Sequence, residues 1–249
     1  MAASFSIIIC SVNDAKFRAC ETMYGKLCGA GSMELVRISD ARSLAEGYNR
    51  GIAQSTGEFL LLVHDDVELL DDQLRARLEQ HFQHVDLIGL AGTSLVGHPM
   101  WLKAGPPYIH GQVAHPQPEG GFMVDIYGVS NRLVRDIQAL DGLFLAMRRA
   151  AATQLRFDEQ TFDGFHFYDM DFTFSAYQQG LRLGVACDIP VIHHSTGTFD
   201  NIWNGYATRF YRKHVAKLSP LPAKEFAWTW VKIPDRDAVR AVMTHPWDD

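Results

Sequence analysis

Cysteine is scarce in this sequence and is not spaced to hold anything. Cys10, Cys20, Cys28 and Cys187 form no Cys-x-x-Cys pair, and no Cys/His spacing matches a structural zinc site. A disulfide framework is not expected at this chain length, so the sequence reads as a reduced, cytoplasmic protein. Positive charge is also short. The 23 Lys and Arg stand against 29 Asp and Glu, a formal net charge of −6. A protein that grips a phosphate backbone usually carries a basic surplus, which argues against nucleic acid as partner. A local basic pocket for one diphosphate stays compatible with that charge. No apolar run reaches the ~18–20 residues of a membrane span, so no transmembrane segment is expected. The opening MAASFSIIICSV has no basic start of the signal-peptide kind. A Gly-x-x-x-x-Gly-Lys phosphate loop and a Gly-x-Ser-x-Gly elbow are both missing, which removes two common catalytic frames.

What is present is a hydrophobic complement of 47% in 249 residues, enough to bury a large α/β core. The first half alternates strand and helix patterns. Residues 6–10, 34–38, 59–63 and 87–91 read as strands. Residues 14–28, 42–54 and 71–85 have helical spacing, with Asp14 as the expected cap of the first. Such alternation predicts a parallel sheet with right-handed crossovers. Regularity is lost over 92–121, which reads as a long functional loop rich in Pro and Gly. Strands are expected again at 122–127, 140–147 and 182–187, with helices at 169–179 and 201–214. The remainder, 216–249, reads as an irregular tail.

Three segments carry candidate chemistry. His64-Asp65-Asp66 follows the purely apolar run 59–63, and ligands of parallel α/β sheets bind outside the carboxyl ends of strands. Two adjacent carboxylates there favour a hard cation such as Mg²⁺ or Mn²⁺, or else simply cap the next helix. Asp169 and Asp171 open a helix. Residues two apart do not share a helix face, so one can react while the other supports, or both can merely complement the helix dipole. His193-His194 ends an apolar run and offers an imidazole to a metal, or a buried histidine bonded to backbone. Trp101, Trp203, Trp228 and Trp230 offer ring faces to a sugar or base, though most tryptophans only fill cores.

Taken in order, these pieces resemble the GT-A glycosyltransferases, in particular the family-2-like branch of small bacterial enzymes, over residues 5–213. SIIICSVN is similar to that family's opening strand and nucleotide loop. ISDARSLAEGYNRGIAQSTGEFLLLVHDDV resembles the stretch leading into its Asp-x-Asp motif. ALDGLFLAMRR looks like the strand below the acceptor site, and FDEQTFDGFHFYDMDFTFSAYQQGLRLGV like the acidic helix-start motif. The resemblance implies a nucleotide-diphospho-sugar transferase fold, with a mixed, mostly parallel sheet flanked by helices. It implies one domain, 1–249, made of a nucleotide half (1–91), an acceptor and catalytic half (92–215) and the tail.

The activity implied is transfer of a sugar, with inversion, from a nucleoside-diphosphate sugar, UDP favoured, to an acceptor hydroxyl. Asp66 and His194 would hold Mn²⁺ or Mg²⁺, and Asp169 would be the base with Asp171 in support. Ser11, Val12, Asn13, Asp40, Ser43, His64 and Asp65 would face the nucleotide, and Trp101 and Asp141 the acceptor. Two positions depart from the family pattern: His64 stands where its first acid is usual, and Tyr168 where Glu is usual. A sugar-nucleotide-binding protein without turnover is the rival reading. The transferase reading requires Asp66, Asp169 and His194 to face one cleft.

Overall fold

The computed structural model describes residues 4–28, 33–222, 227–244 and 247. The first half runs β1 (Phe5–Cys10), α1 (Asp14–Cys28), β2 (Met33–Ile38), α2 (Leu44–Gln54), β3 (Phe59–Val63), β4 (Val67–Leu69), α3 (Leu74–His81), β5 (Leu87–Gly89) and β6 (Ala91–Thr93). A short 3₁₀ turn at Trp101–Ala104 precedes β7 (Ile109–Pro116), β8 (Phe122–Gly128), β9 (Leu133–Ile137), β10 (Ala139–Leu140) and β11 (Phe144–Arg148). Then follow α4 (Arg149–Ala152), α5 (Tyr168–Gln178), β12 (Leu183–Ala186), β13 (Val191–His193), α6 (Asn201–His214), β14 (Thr229–Ile233) and α7 (Arg236–Thr244).

The strands form two sheets. The first has the order β2-β1-β3-β11-β5-β12-β9 and the second β10-β6-β7-β13-β4, extended from β7 through β8 to β14. In the first sheet β2, β1 and β3 are parallel, as strand–helix alternation requires, while β11 runs antiparallel between β3 and β5. Both faces are covered, which explains the unbroken apolar runs. Ile7, Ile9, Leu61 and Val63 point into one core with Tyr24 of α1 and Leu74 and Leu78 of α3. Ile8, Leu60 and Leu62 point into the other, with Ala45 and Tyr48 of α2. Each such side chain, fully buried, contributes about 1.5–3 kcal/mol. The carboxyl ends of β1 and β3 therefore form a rigid edge.

Four expectations are corrected. Residues 92–121 are not one loop, because β7 is tied on both flanks: to β6, β8 and β13. Gly111 permits this, since at φ +106° it kinks β7 where a side chain would strike the Leu90 carbonyl. Residues 87–91 are not one strand. They divide between the sheets, with β5 in the first and β6 in the second. The tail is not irregular: β14 pairs antiparallel with β8, and Val239 and Met243 of α7 are buried. The α1 cap is Asn13 rather than Asp14, its Oδ1 accepting from the N–H groups of Ala15 (2.9 Å) and Lys16 (3.0 Å).

A candidate metal and acid–base cleft

Strand pairing brings three side chains together at this edge. β13 lies antiparallel to β4 with His193 opposite Val67, and the His194 N–H donates to Asp66 O at 2.9 Å. Successive side chains on a strand point to opposite faces. His193 thereby turns toward Asp66, and His194 turns out to Glu68 at 3.2 Å. Ligand atoms of His64, Asp66 and His193 all lie within 4.8 Å of one another. Asp66 Oδ1 and His193 Nε2 stand 3.3 Å apart, both buried and neither hydrogen-bonded. Two orphaned polar atoms of this kind are costly unless something binds between them. Burial opposes ionisation of Asp66, but His193, His64 and Lys16 outweigh it and hold the carboxyl well below its ordinary range. Burial and the neighbouring His193 lower the pKa of His64, which favours the uncharged, ligating imidazole.

The two departures from the family pattern are partners. His64 Nε2 is 2.6 Å from the Tyr168 hydroxyl, which itself donates to Gly142 O at 3.2 Å. That hydroxyl proton is thus committed, so Nε2–H donates to Tyr168 and Nδ1 keeps the lone pair. A tyrosine in place of an acid is what a histidine in place of an acid needs behind it.

Across the cleft, α5 is preceded by Phe167, whose left-handed φ of 63° costs on the order of 1–3 kcal/mol for a bulky residue. The turn delivers Tyr168 and Asp169 side by side onto Gly142. A Cβ at Gly142 would overlap the Tyr168 hydroxyl and lie 2.7 Å from Asp169 Cβ, so only glycine lets α5 approach this closely. The Gly142 N–H donates to Asp169 Oδ2 at 2.8 Å. Burial, and then the charge of Asp141, raise the Asp169 carboxyl to about 7.

His64, Asp66, His193, Asp141, Asp169 and Trp101 all line one cleft of about 530 Å³. Of the required trio, Asp66 and Asp169 share it, and His193 takes the place assigned to His194. Asp171 does not support Asp169. It is buried on the far side of α5, where His214 (2.7 Å) and Lys213 (2.9 Å) tie it to α6. Trp101 Nε1 donates to Asp141 Oδ2 at 3.3 Å.

Of the residues expected at the nucleotide, His64 lines the cleft and the others do not. Ser11 donates to Asp65 Oδ2 at 2.7 Å, and Lys16 Nζ bridges Asp65 (3.3 Å) and Asp66 (3.6 Å). Val12 is 82% exposed on the same loop. Asn13 is occupied as a cap, and so is Ser43, whose buried hydroxyl accepts from Glu46 N at 3.0 Å. Asp40 is exposed and paired with Arg50 at 2.7 Å.

Sequence reasoning missed His115, Asp125 and Tyr127, and left Trp228 with the core-filling tryptophans. All four line the cleft. An aspartate inside the otherwise apolar run FMVDIY was a usable signal. His115 and Trp228 sat in segments with no readable period.

A sequence profile described as a glycosyltransferase-like family matches residues 6–214. No curated protein matches. Among solved structures, the mannosyltransferase PcManGT from Pyrobaculum calidifontis, in complex with GDP-Man and Mn²⁺, is similar at 11% identity and a TM-score of 0.52. The alignment covers 89% of this chain and 66% of that one. GalNAc-T7 with UDP, GalNAc and Mn²⁺ is similar at 11% identity and a TM-score of 0.52, covering 86% of this chain and 48% of the other. The chain therefore spans less than two thirds of the length of either. At such identities the likeness bears on the fold, which is GT-A.

Proposed function

The chain belongs to the glycosyltransferase-like family, and from that premise we propose that it moves a sugar from a nucleoside-diphosphate sugar to an acceptor hydroxyl with metal assistance. One observation carries the reading. A cluster with the donor set of a metal site, His64, Asp66 and His193, shares a cleft with Asp169, a carboxyl raised to about 7. A cleft carboxyl poised near neutrality favours turnover over binding alone.

The orphaned Asp66 Oδ1 and His193 Nε2, with His64 held by Tyr168, fit a divalent ion. Two imidazoles with one carboxylate favour Mn²⁺ over Mg²⁺, which prefers oxygen alone. Held there, the ion would supply positive charge to the diphosphate as it leaves. Lys16, reaching Asp65 and Asp66 from the first turn of α1, adds a second positive charge at the same edge. We assign the nucleotide to the loop Ser11–Asn13, Asp40 and Asp65, with uridine preferred by family resemblance. Ser43 is left out because its hydroxyl is buried in the α2 cap, and His194 leaves the metal site because it turns away to Glu68.

Asp169 is the proposed base. A carboxylate near 7 is substantially ionised at neutral pH and still binds a proton well, which is what deprotonating a hydroxyl during attack demands. Gly142 N–H fixes one of its oxygens. A single base opposite the departing diphosphate gives inversion at the anomeric carbon. Residues 1–91 then serve the donor, and 92–215 the acceptor. The tail joins the acceptor half through Trp228.

Thermal unfolding with UDP or GDP, in Mn²⁺ and in EDTA, tests the donor side. Binding to the folded form raises apparent stability by RT ln(1 + [L]/Kd), about 2.7 kcal/mol at a hundredfold excess over Kd. The expected result is a rise in melting temperature for one nucleotide that disappears in EDTA. An equal rise in both buffers would remove the metal from the proposal, and no rise with either nucleotide would remove the donor.

A further inference from the structure

The cleft holds a second set of hydrogen-bonding groups, separate from Asp169, that the proposed chemistry does not use. Asp125 is buried within β8. Its Oδ1 accepts from Trp228 Nε1 at 2.8 Å, and its Oδ2 faces His115 Nε2 at 3.7 Å. His115 Nδ1 lies 2.8 Å from Ser195 O and 3.1 Å from His193 O. Carbonyl oxygens only accept, so Nδ1 carries a proton and Nε2 is the ring atom left facing Asp125. The 3.7 Å gap is too wide for a shared proton. Asp125 Oδ2 and His115 Nε2 thus face each other without bonding, and a pair of neighbouring ligand hydroxyls, bonding one to each, satisfies both.

The adjoining wall is aromatic. Tyr127 meets Trp101 edge-on at 5.2 Å between ring centroids and Trp228 at 5.7 Å. Trp101 repeats the motif of Trp228, its N–H held by a carboxylate, here that of Asp141. Two Trp–Asp couples therefore flank one tyrosine. Ring faces accept C–H surface, while carboxylates at their edges accept O–H. A ligand that offers both around a small ring is a sugar. An alkyl chain would leave Asp125 Oδ2 buried without a hydrogen bond.

Resting on the transferase reading, we infer that His115, Asp125 and Trp228 form a subsite that grips a saccharide acceptor by hydroxyls that do not react. The test uses protein saturated with UDP and Mn²⁺. It is titrated with the methyl glycosides of glucose, galactose, mannose and N-acetylglucosamine, and tryptophan emission is followed. At least one glycoside should shift the emission saturably. Asp125→Asn, which replaces the Oδ2 acceptor by a donor at constant shape, should weaken that binding about tenfold or more. Trp228→Phe keeps a ring face and removes the N–H; it should weaken binding about threefold and serves where the first variant does not fold. Both should bind UDP like the parent protein. Normal UDP binding with no response to any glycoside, or glycoside binding unchanged in the folded variants, overturns the inference. Failure of both UDP and GDP to bind the parent protein sinks the donor reading instead, and the acceptor reading with it; where only GDP binds, it replaces UDP throughout.

Discussion

Asp66 and Asp169 open onto the same cleft and hold their protons in opposite ways. Both are partly shielded from water, and burial by itself pushes each carboxyl upward. Around Asp66 that push is overcome by two imidazoles and Lys16, and the group stays ionised. Around Asp169 the nearest charge is another carboxylate, Asp141, which adds to it. One residue type therefore supplies a permanent anion at one end of the cleft and a proton acceptor near 7 at the other. The neighbours decide the role.

The sharpest way to break the comparison is Asp169→Asn. Removing a general base should lower the transfer rate by roughly 10²–10⁴-fold, measured as release of nucleoside diphosphate in the presence of acceptor. Affinity for the nucleotide should stay within about twofold, because the donor end is untouched. Full turnover by the variant would remove Asp169 from the chemistry.

Next in size is Tyr168→Phe. It deletes only the hydroxyl that fixes the His64 ring, and loss of such an outer partner typically costs about 10–100-fold in metal affinity. Calorimetric titration with Mn²⁺ reads this directly. An unchanged affinity would mean that His64 is not a ligand.

The smallest effect is a displacement along the pH axis. As the proposed base Asp169 acts in its ionised form, so the rate should fall as pH drops through about 7. Asp141→Asn removes the like charge and should move that acidic limb to lower pH. Burial, the larger cause, remains in the variant, so the limb should not return to the range of an exposed aspartate. A profile identical to that of the parent protein would assign the raised value to burial alone.

Much of this was legible in the residues themselves. The runs SIIIC and FLLLV have no polar side because both faces of their sheet are covered, and the strand over residues 59–63 has the expected bounds. Helix α6 likewise spans the expected residues 201–214. Asp66 and Asp169 could be singled out because each sits where a regular element ends or begins. The His193/His194 choice went the wrong way for lack of a register. Adjacent residues on a strand face opposite sides, and only the pairing of His193 with Val67 says which side holds Asp66. Asp171 was drawn toward catalysis by its nearness in sequence to Asp169, yet His214, 43 residues later, claims it.

Local periodicity, then, determined the parallel strands, the helices between them and the two acidic positions, because such patterns depend on what each face of one element meets. Tertiary structure alone decided which imidazole joins Asp66, that His64 and Tyr168 compensate each other across 104 positions, and that the tail returns Trp228 to the cleft. It also set the proton affinity of Asp169, through burial and an aspartate 28 residues earlier in the chain. Desolvation and charge–charge contact depend on distance in space, and the order of residues along the chain does not specify it.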